Sequence, residues 1–258
     1  MNLDLAIDPA WAIGLLLAQI RVAMFTVAAP QLGAAITSPG RMAFVIATGF
    51  AMTGPVQVAT TADLIAFAVV NAVVGLVIGF VVGLLFHVFA VAGALADLSA
   101  ATSIAAVLDP TRGEQGAVFS RLFQLTGLTL FHVAGGMALL VSSLAWSVRA
   151  VPLNGQLDLE PGIGAVVLEL IGTMMVAGFE LAVPIVAALF LIELTLGLAA
   201  RFAPTANVFI LGMPVKVGVA MVVSLTALAM FPQFVTGMVD SSRDAVVDVL
   251  NGMGVPVA

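Results

Sequence analysis

The chain has 258 residues, of which 62% are hydrophobic and 9% charged, with a mean hydropathy of +1.22. Soluble domains carry charge on roughly 25% of residues, so this composition excludes an ordinary soluble fold and places the chain in lipid. There the cost of unpaired backbone groups leaves only helices or a closed barrel, and the long unbroken apolar runs lack the alternation of barrel strands. The net charge of -6 offers nucleic acid no basic footprint, and the absence of cysteine removes disulfides, thiolate chemistry and Cys-based metal sites.

In chain order, Asp4 and Asp8 stand where a secretory signal has a positive stretch, so the first apolar run, 9–29, is read as a retained span. It meets the roughly 20 residues that a crossing needs, and Trp11 suits the interface at its start. Arg21 lies in mid-run, at a depth where insertion scales charge about 2.5–3.5 kcal/mol for arginine, so something polar should face it. Two readings stay open: snorkelling to the nearer surface, or a buried partner carboxylate or water-filled interior. A turn containing Pro30, Gly33, Pro39 and Arg41 leads to a second span over 42–58. Thr60, Thr61 and Asp63 follow, with Asp63 as the expected N-cap of the third helix.

The third run, 64–96, would be about 50 Å long as one helix, which overshoots a hydrocarbon core of about 30 Å. Within it Gly75, Gly79 and Gly83 recur every fourth residue, on one face, where another backbone can approach closely. His87 and His132 lack a second ligand at metal-binding spacing, so each reads as a packed polar residue. The stretch 97–116 is the longest moderately polar internal segment. Its centre, Asp109, Pro110, Thr111, Arg112, Gly113, Glu114, Gln115 and Gly116, reads as a flexible turn.

A fourth span over 117–146 carries Arg121 near its start and ends at Trp146 and Arg149, an interfacial anchor pair. Pro152, Asn154, Gly155 and Pro161 make a turn-rich linker. The fifth run, 163–200, holds Glu169, Glu180 and Glu193 and is interrupted by Pro184; one kinked helix is preferred to two short spans. Glu169 and Glu180 lie close in helical projection, whereas Glu193 is rotated by about 140°. Pro204 and Pro214 predict a helix end near Phe202 and a new start near Pro214, with Asn207 and Gly212 suiting the turn between them. The last span, 214–239, has Lys216 at its start. A polar tail over 240–258 follows, with Asp240, Asp244 and Asp248 on one face. With six spans, Arg41, Arg112, Arg121, Arg201 and Lys216 fall on one side and Arg149 and Arg243 on the other, which puts the first group in the cytoplasm and both termini outside.

Arg201, Ala203-Pro204, Asn207-Val208-Phe209 and Gly212-x-Pro214-x-Lys216 resemble the C-terminal signature of the flagellar biosynthetic protein FliR family and its injectisome counterparts, the T subunits of type III secretion export gates. Arg21, Pro30, Gly33, Pro39 and Arg41 resemble that family's N-terminal pattern. Three positions depart from it: Thr205 replaces the usual Gln, Asn71 stands where an acid is common, and Met137 replaces a histidine after Gly135-Gly136.

The resemblance implies an all-α polytopic membrane protein, about six long helices arranged as hairpins in a hetero-oligomeric helical assembly, as a single domain over 1–258. It implies P and Q subunits and the B subunit of the same apparatus as partners, unfolded secreted proteins as passing substrate, and no cofactor. It also implies that the Asp109-Pro110 loop projects into the export conduit and helps close it. On the residues alone, Arg21, Glu180 and Glu193 inside apolar runs motivate a small-solute or ion transporter instead, although paired broken helices are not repeated along the chain. An intramembrane enzyme is disfavoured, since there is no Cys, GxSxG, HExxH or clustered carboxylate dyad.

Overall fold

The computed structural model describes residues 8–29, 37–100, 118–155, 163–202 and 208–253, and the regular structure among them is helical. The helices are α1 (Pro9–Ala28), α2 (Ser38–Ala51), α3 (Thr61–Ser99), α4 (Val118–Val133), α5 (Gly136–Ala150), α6 (Ile163–Phe202), α7 (Val208–Leu228) and α8 (Phe231–Asn251). Two compact units emerge, one of Met1–Leu84, Gly135–Leu170 and Val239–Ala258, the other of Leu85–Ala134 and Ile171–Met238. Three stretches are long and apolar enough to cross a membrane: Pro9–Ala28, Thr61–Leu84 and Gly164–Phe202; α4 with α5, and the pair Gly212–Leu228 and Phe231–Asn251, qualify only as broken pairs. The all-α membrane class expected from composition is the class observed.

The boundaries differ from those expected, each for a local reason. α2 stops at Ala51 because Gly54 and Pro55 follow; proline lacks an N–H and disfavours a helical residue before it. With 14 residues, α2 is about 21 Å long, short of the roughly 30 Å core. The six-crossing ladder, and the charge parity built on it, therefore lacks its second rung. At the start of α3 the N-cap is Thr60 and not Asp63: the Asp63 N–H donates to Thr60 Oγ1 (3.2 Å) while Asp63 Oδ2 accepts the Thr60 N–H (2.9 Å). This reciprocal pair satisfies two otherwise open donors and starts the helix earlier.

The fourth run splits at Gly135, whose φ of 85° is left-handed and ends one helix as it caps the next. α6 runs unbroken through Pro184, as the single-helix reading expects. α7 begins at Val208, and Pro214 lies inside it instead of at its start. Membrane helices tolerate such a proline because neighbouring groups take up the freed backbone positions. A turn at Ala229 and Met230 then breaks the expected last span, and the predicted tail from Asp240 belongs to α8 as far as Asn251.

Within the first unit, Leu17 and Ala18 of α1 pack with Val56 and Leu153, and Ile13, Phe67 and Val148 close around them. Asp8 Oδ1 accepts the Ala10 N–H at 3.0 Å, capping α1. The Val56 N–H donates to the Ala10 carbonyl at 3.0 Å, tying the extended segment after α2 onto the start of α1. Arg243 of α8 stands 5.3 Å from the centre of the Trp146 ring, a cation-on-ring contact within the first unit.

Aromatic packing organises the second unit. Phe123 meets Phe231, and Phe86 meets Phe131, each edge-on with centroids 5.0 Å apart, while Phe89 lies 5.4 Å from Phe231. Glycine lets these rings approach: a methyl on Gly127 would stand 2.6 Å from the Phe89 ring.

Candidate functional site

The buried face of α1 repeats through Gly14, Leu17, Ala18, Arg21, Val22 and Phe25, a helical stripe in which the one charged member is Arg21. Its residue exposure is 0%, which rules out snorkelling. Nε donates to Asn71 Oδ1 at 2.9 Å, Nη1 to Ser147 Oγ at 3.2 Å and Nη2 to the Val151 carbonyl at 2.8 Å. None of these acceptors is a carboxylate: the partner acid, one of the readings left open, gives way to an amide, a hydroxyl and a carbonyl.

Asn71 is the hub. Its Nδ2 donates to the Phe67 carbonyl at 2.7 Å and to the Leu153 carbonyl at 2.9 Å, while its oxygen holds Arg21. The Ser147 hydroxyl donates to the Leu144 carbonyl at 2.7 Å, leaving its lone pairs for the guanidinium. One network thus ties α1, α3, α5 and the turn after α5 together. A buried cation can be kept only where several acceptors converge on it, and the fork of arginine donors suits three acceptors at different angles.

The same helix pair is brought close by glycine. A Cβ on Gly75 would run into the Arg21 carbonyl oxygen, with Met24 Cβ 3.2 Å away; one on Gly79 would stand 2.5 Å from the Phe25 carbonyl oxygen and 2.8 Å from Ala28 Cβ. Gly83 is buried one step further along. α3 therefore lies backbone-on-backbone against α1, and that closeness is what lets Asn71 reach Nε of Arg21.

In the second unit Lys216 Nζ meets Glu193 Oε1 at 2.9 Å, joining the first part of α7 to α6. The Glu193 side chain is 66% exposed and that of Lys216 16%. Gly212 faces the Leu196 side chain at 2.8 Å for an added methyl, and Arg201 is exposed at the end of α6. Pro39 is exposed and Arg41 half-buried at the start of α2. Pro30, Gly33, Pro204, Asn207 and all of Asp109, Pro110, Thr111, Arg112, Gly113, Glu114, Gln115 and Gly116 lie outside the described residues, as does the side chain of Phe209.

Asp97 is a polar anchor that the sequence did not single out. Only 2% exposed, its Oδ1 accepts the Phe119 N–H at 3.0 Å and Oδ2 the Ser120 N–H at 2.8 Å. The end of α3 thereby caps the first turn of α4 with a carboxylate, which also suits the positive end of the helix dipole. Gly93, four residues earlier, permits it, since a Cβ there would strike the Ser120 backbone. Asp97→Ala is expected to lower the thermal stability of the purified protein by about 1–2 kcal/mol, the usual cost of a lost N-cap. Asp97→Asn, which keeps one acceptor oxygen, should lose less, and an unchanged melting midpoint for the alanine variant would contradict the capping role. Among the described residues no group of three or more His, Cys, Asp or Glu could hold a metal ion.

A family model described as "Bacterial export proteins, family 1" matches residues 12–242. The chain is 26% identical over 144 residues to the flagellar biosynthetic protein FliR of Bacillus subtilis (strain 168), a match that covers 54% of this chain and 54% of that relative. It therefore spans little more than half the length of that protein. It is also 26% identical over 232 residues to FliR of Aquifex aeolicus (strain VF5), covering 88% of this chain and 89% of the relative. Surface presentation of antigens protein SpaR of Shigella flexneri is 26% identical over 192 residues, covering 72% of this chain and 74% of SpaR. With the family model running from α1, through the Arg21–Asn71 network and the Lys216 pair, into α8, the chain belongs to family 1 of the bacterial export proteins.

Proposed function

We propose that the chain is a structural, channel-forming subunit of the export gate of a type III protein secretion system, flagellar in the first reading, in the bacterial inner membrane. The match of the family model over residues 12–242 carries this reading. The likeness to SpaR favours, as a second reading, the same role in a virulence injectisome. The chain joins P, Q and B subunits of the apparatus around a passage for unfolded secreted proteins. The stripe Gly75, Gly79 and Gly83 and the residues Arg21, Pro30, Gly33, Pro39, Arg41, Arg201, Pro204, Asn207, Phe209, Gly212, Pro214 and Lys216 serve assembly, and residues 109–116 close the resting conduit.

The burial of Arg21 supports a structural role over a transporter. An arginine that serves a solute path faces water or the solute; this one is enclosed by Asn71, Ser147 and Val151. The test is electrical. In the assembled gate, removing residues 109–116 should raise the ion conductance of the resting channel, and an unchanged conductance would overturn the closing role. Saturable uptake of a small solute by the isolated chain in liposomes would overturn the gate reading itself.

A further inference from the structure

α6 carries three glutamates through an apolar run, and they differ in their partners. Glu193 is paired with Lys216 and Glu169 engages a neighbour, but the Glu180 side chain, exposed near the middle of the helix, has no partner among the described residues. It opens onto a groove of about 410 Å³ in the second unit, where it is the one charged side chain among the described residues. Leu181, Met230 and Phe234 form apolar walls, and Gln233 brings an amide to the same groove.

Pro184, which also lines the groove, sits one helical turn after Glu180. Proline has no N–H to give, so the Glu180 backbone carbonyl loses the donor that would otherwise close its helical bond. The groove thus offers a carboxylate and a side-chain amide as acceptors, with apolar surface between them. An isolated carboxylate on an apolar helix is costly and calls for a cation. The group that matches several acceptors plus apolar walls is a guanidinium or ammonium on a methylene stem, whose stem covers the walls while its head meets the oxygens.

We infer that the Glu180 groove is a socket for an arginine or lysine side chain on a helix of a neighbouring subunit. This rests on the reading of the chain as an assembly subunit. It also gives the break between α7 and α8 a purpose, because the turn at Ala229 and Met230 brings Met230 and Gln233 to the groove. A lipid ammonium is the alternative occupant, and the crosslink below tells the two apart.

The test uses the gate complex purified with its partner subunits. Glu180→Lys should lower the yield of complex by about tenfold or more, as expected where like charges are brought together and a cation is left unpaired. Glu180→Gln, which keeps the shape and an acceptor, should lose only a part of that, and reversing the charge of the partner's cation should restore assembly of Glu180→Lys. Because the chain has no cysteine, a Met230→Cys variant carrying a photoactivatable label reports the occupant directly. A crosslink to an arginine- or lysine-bearing segment of one identified subunit supports the socket. Wild-type yield for Glu180→Lys, or crosslinks only to lipid or to another copy of this chain, would overturn it while leaving the gate reading intact. Failure of the wild-type chain to join any partner would instead sink the gate reading.

Discussion

Asn71→Leu is expected to destabilise the folded protein by about 3 kcal/mol, since a buried donor left without its acceptor costs roughly 1–3 kcal/mol and a charged donor stands at the upper end of that range. Leucine deletes the acceptor of the Arg21 Nε–H and the donor to the Phe67 and Leu153 carbonyls. What remains is a fully buried cation with two acceptors instead of three, which is the costly situation, since a charge that cannot reach water carries its desolvation penalty uncompensated. Adding Arg21→Met to that variant should therefore restore part of the loss, because an apolar side chain of similar length removes the charge that made the site expensive. The coupling between the two substitutions should amount to about 1–3 kcal/mol, read as thermal unfolding midpoints in detergent micelles. Strict additivity would mean that the two side chains do not depend on each other. This differs from what a hidden carboxylate predicts: with only neutral acceptors around it, Arg21 leaves no orphaned anion when it is removed.

Gly75→Ala and Gly79→Ala are each expected to destabilise by about 1–3 kcal/mol, the usual cost of overpacking, and the double variant by more than either. At both positions the new methyl meets carbonyl oxygens of the α1 backbone, at Arg21 and Phe25, which cannot rotate away as a side chain would. α1 and α3 must separate, and the Arg21–Asn71 bond of 2.9 Å lengthens with them. Gly172→Ala in α6 is the control. Nothing lies within 4 Å of its added methyl, so it should stabilise by roughly 0.5–1 kcal/mol through helix propensity. Opposite signs for Gly75→Ala and Gly172→Ala distinguish close packing from a general intolerance of alanine. Equal effects would contradict the close approach of the two helices.

The class of fold was legible because composition decides it: a chain this apolar has few ways to satisfy its backbone. A helix start was legible where local chemistry acts alone, as at Pro9, and the continuity of α6 past Pro184 followed from preferring one kinked helix. Where two local signals compete, the outcome depended on surroundings the sequence does not display. Pro55 ends α2, yet Pro214 lies inside α7, although both lack the same N–H.

The site itself was half visible. Arg21 announced that something polar must face it, but its partners are 50, 126 and 130 residues away. A helix that is apolar all round does not tell which of its faces is buried, so periodicity could not select Asn71 over other polar residues. Asp97 was missed for the same reason: its carboxylate acts on backbone N–H groups 22 and 23 residues later, and backbone donors leave no mark in a sequence.

The proposed role of this chain is to grip neighbouring export-gate subunits. Native mass spectrometry of the chain co-expressed with the P and Q subunits of its own apparatus tests it most directly. The expected result is a discrete complex of fixed composition that contains this chain and loses it when Asn71→Leu is introduced. A chain that stays alone under conditions where P and Q assemble with one another would contradict it.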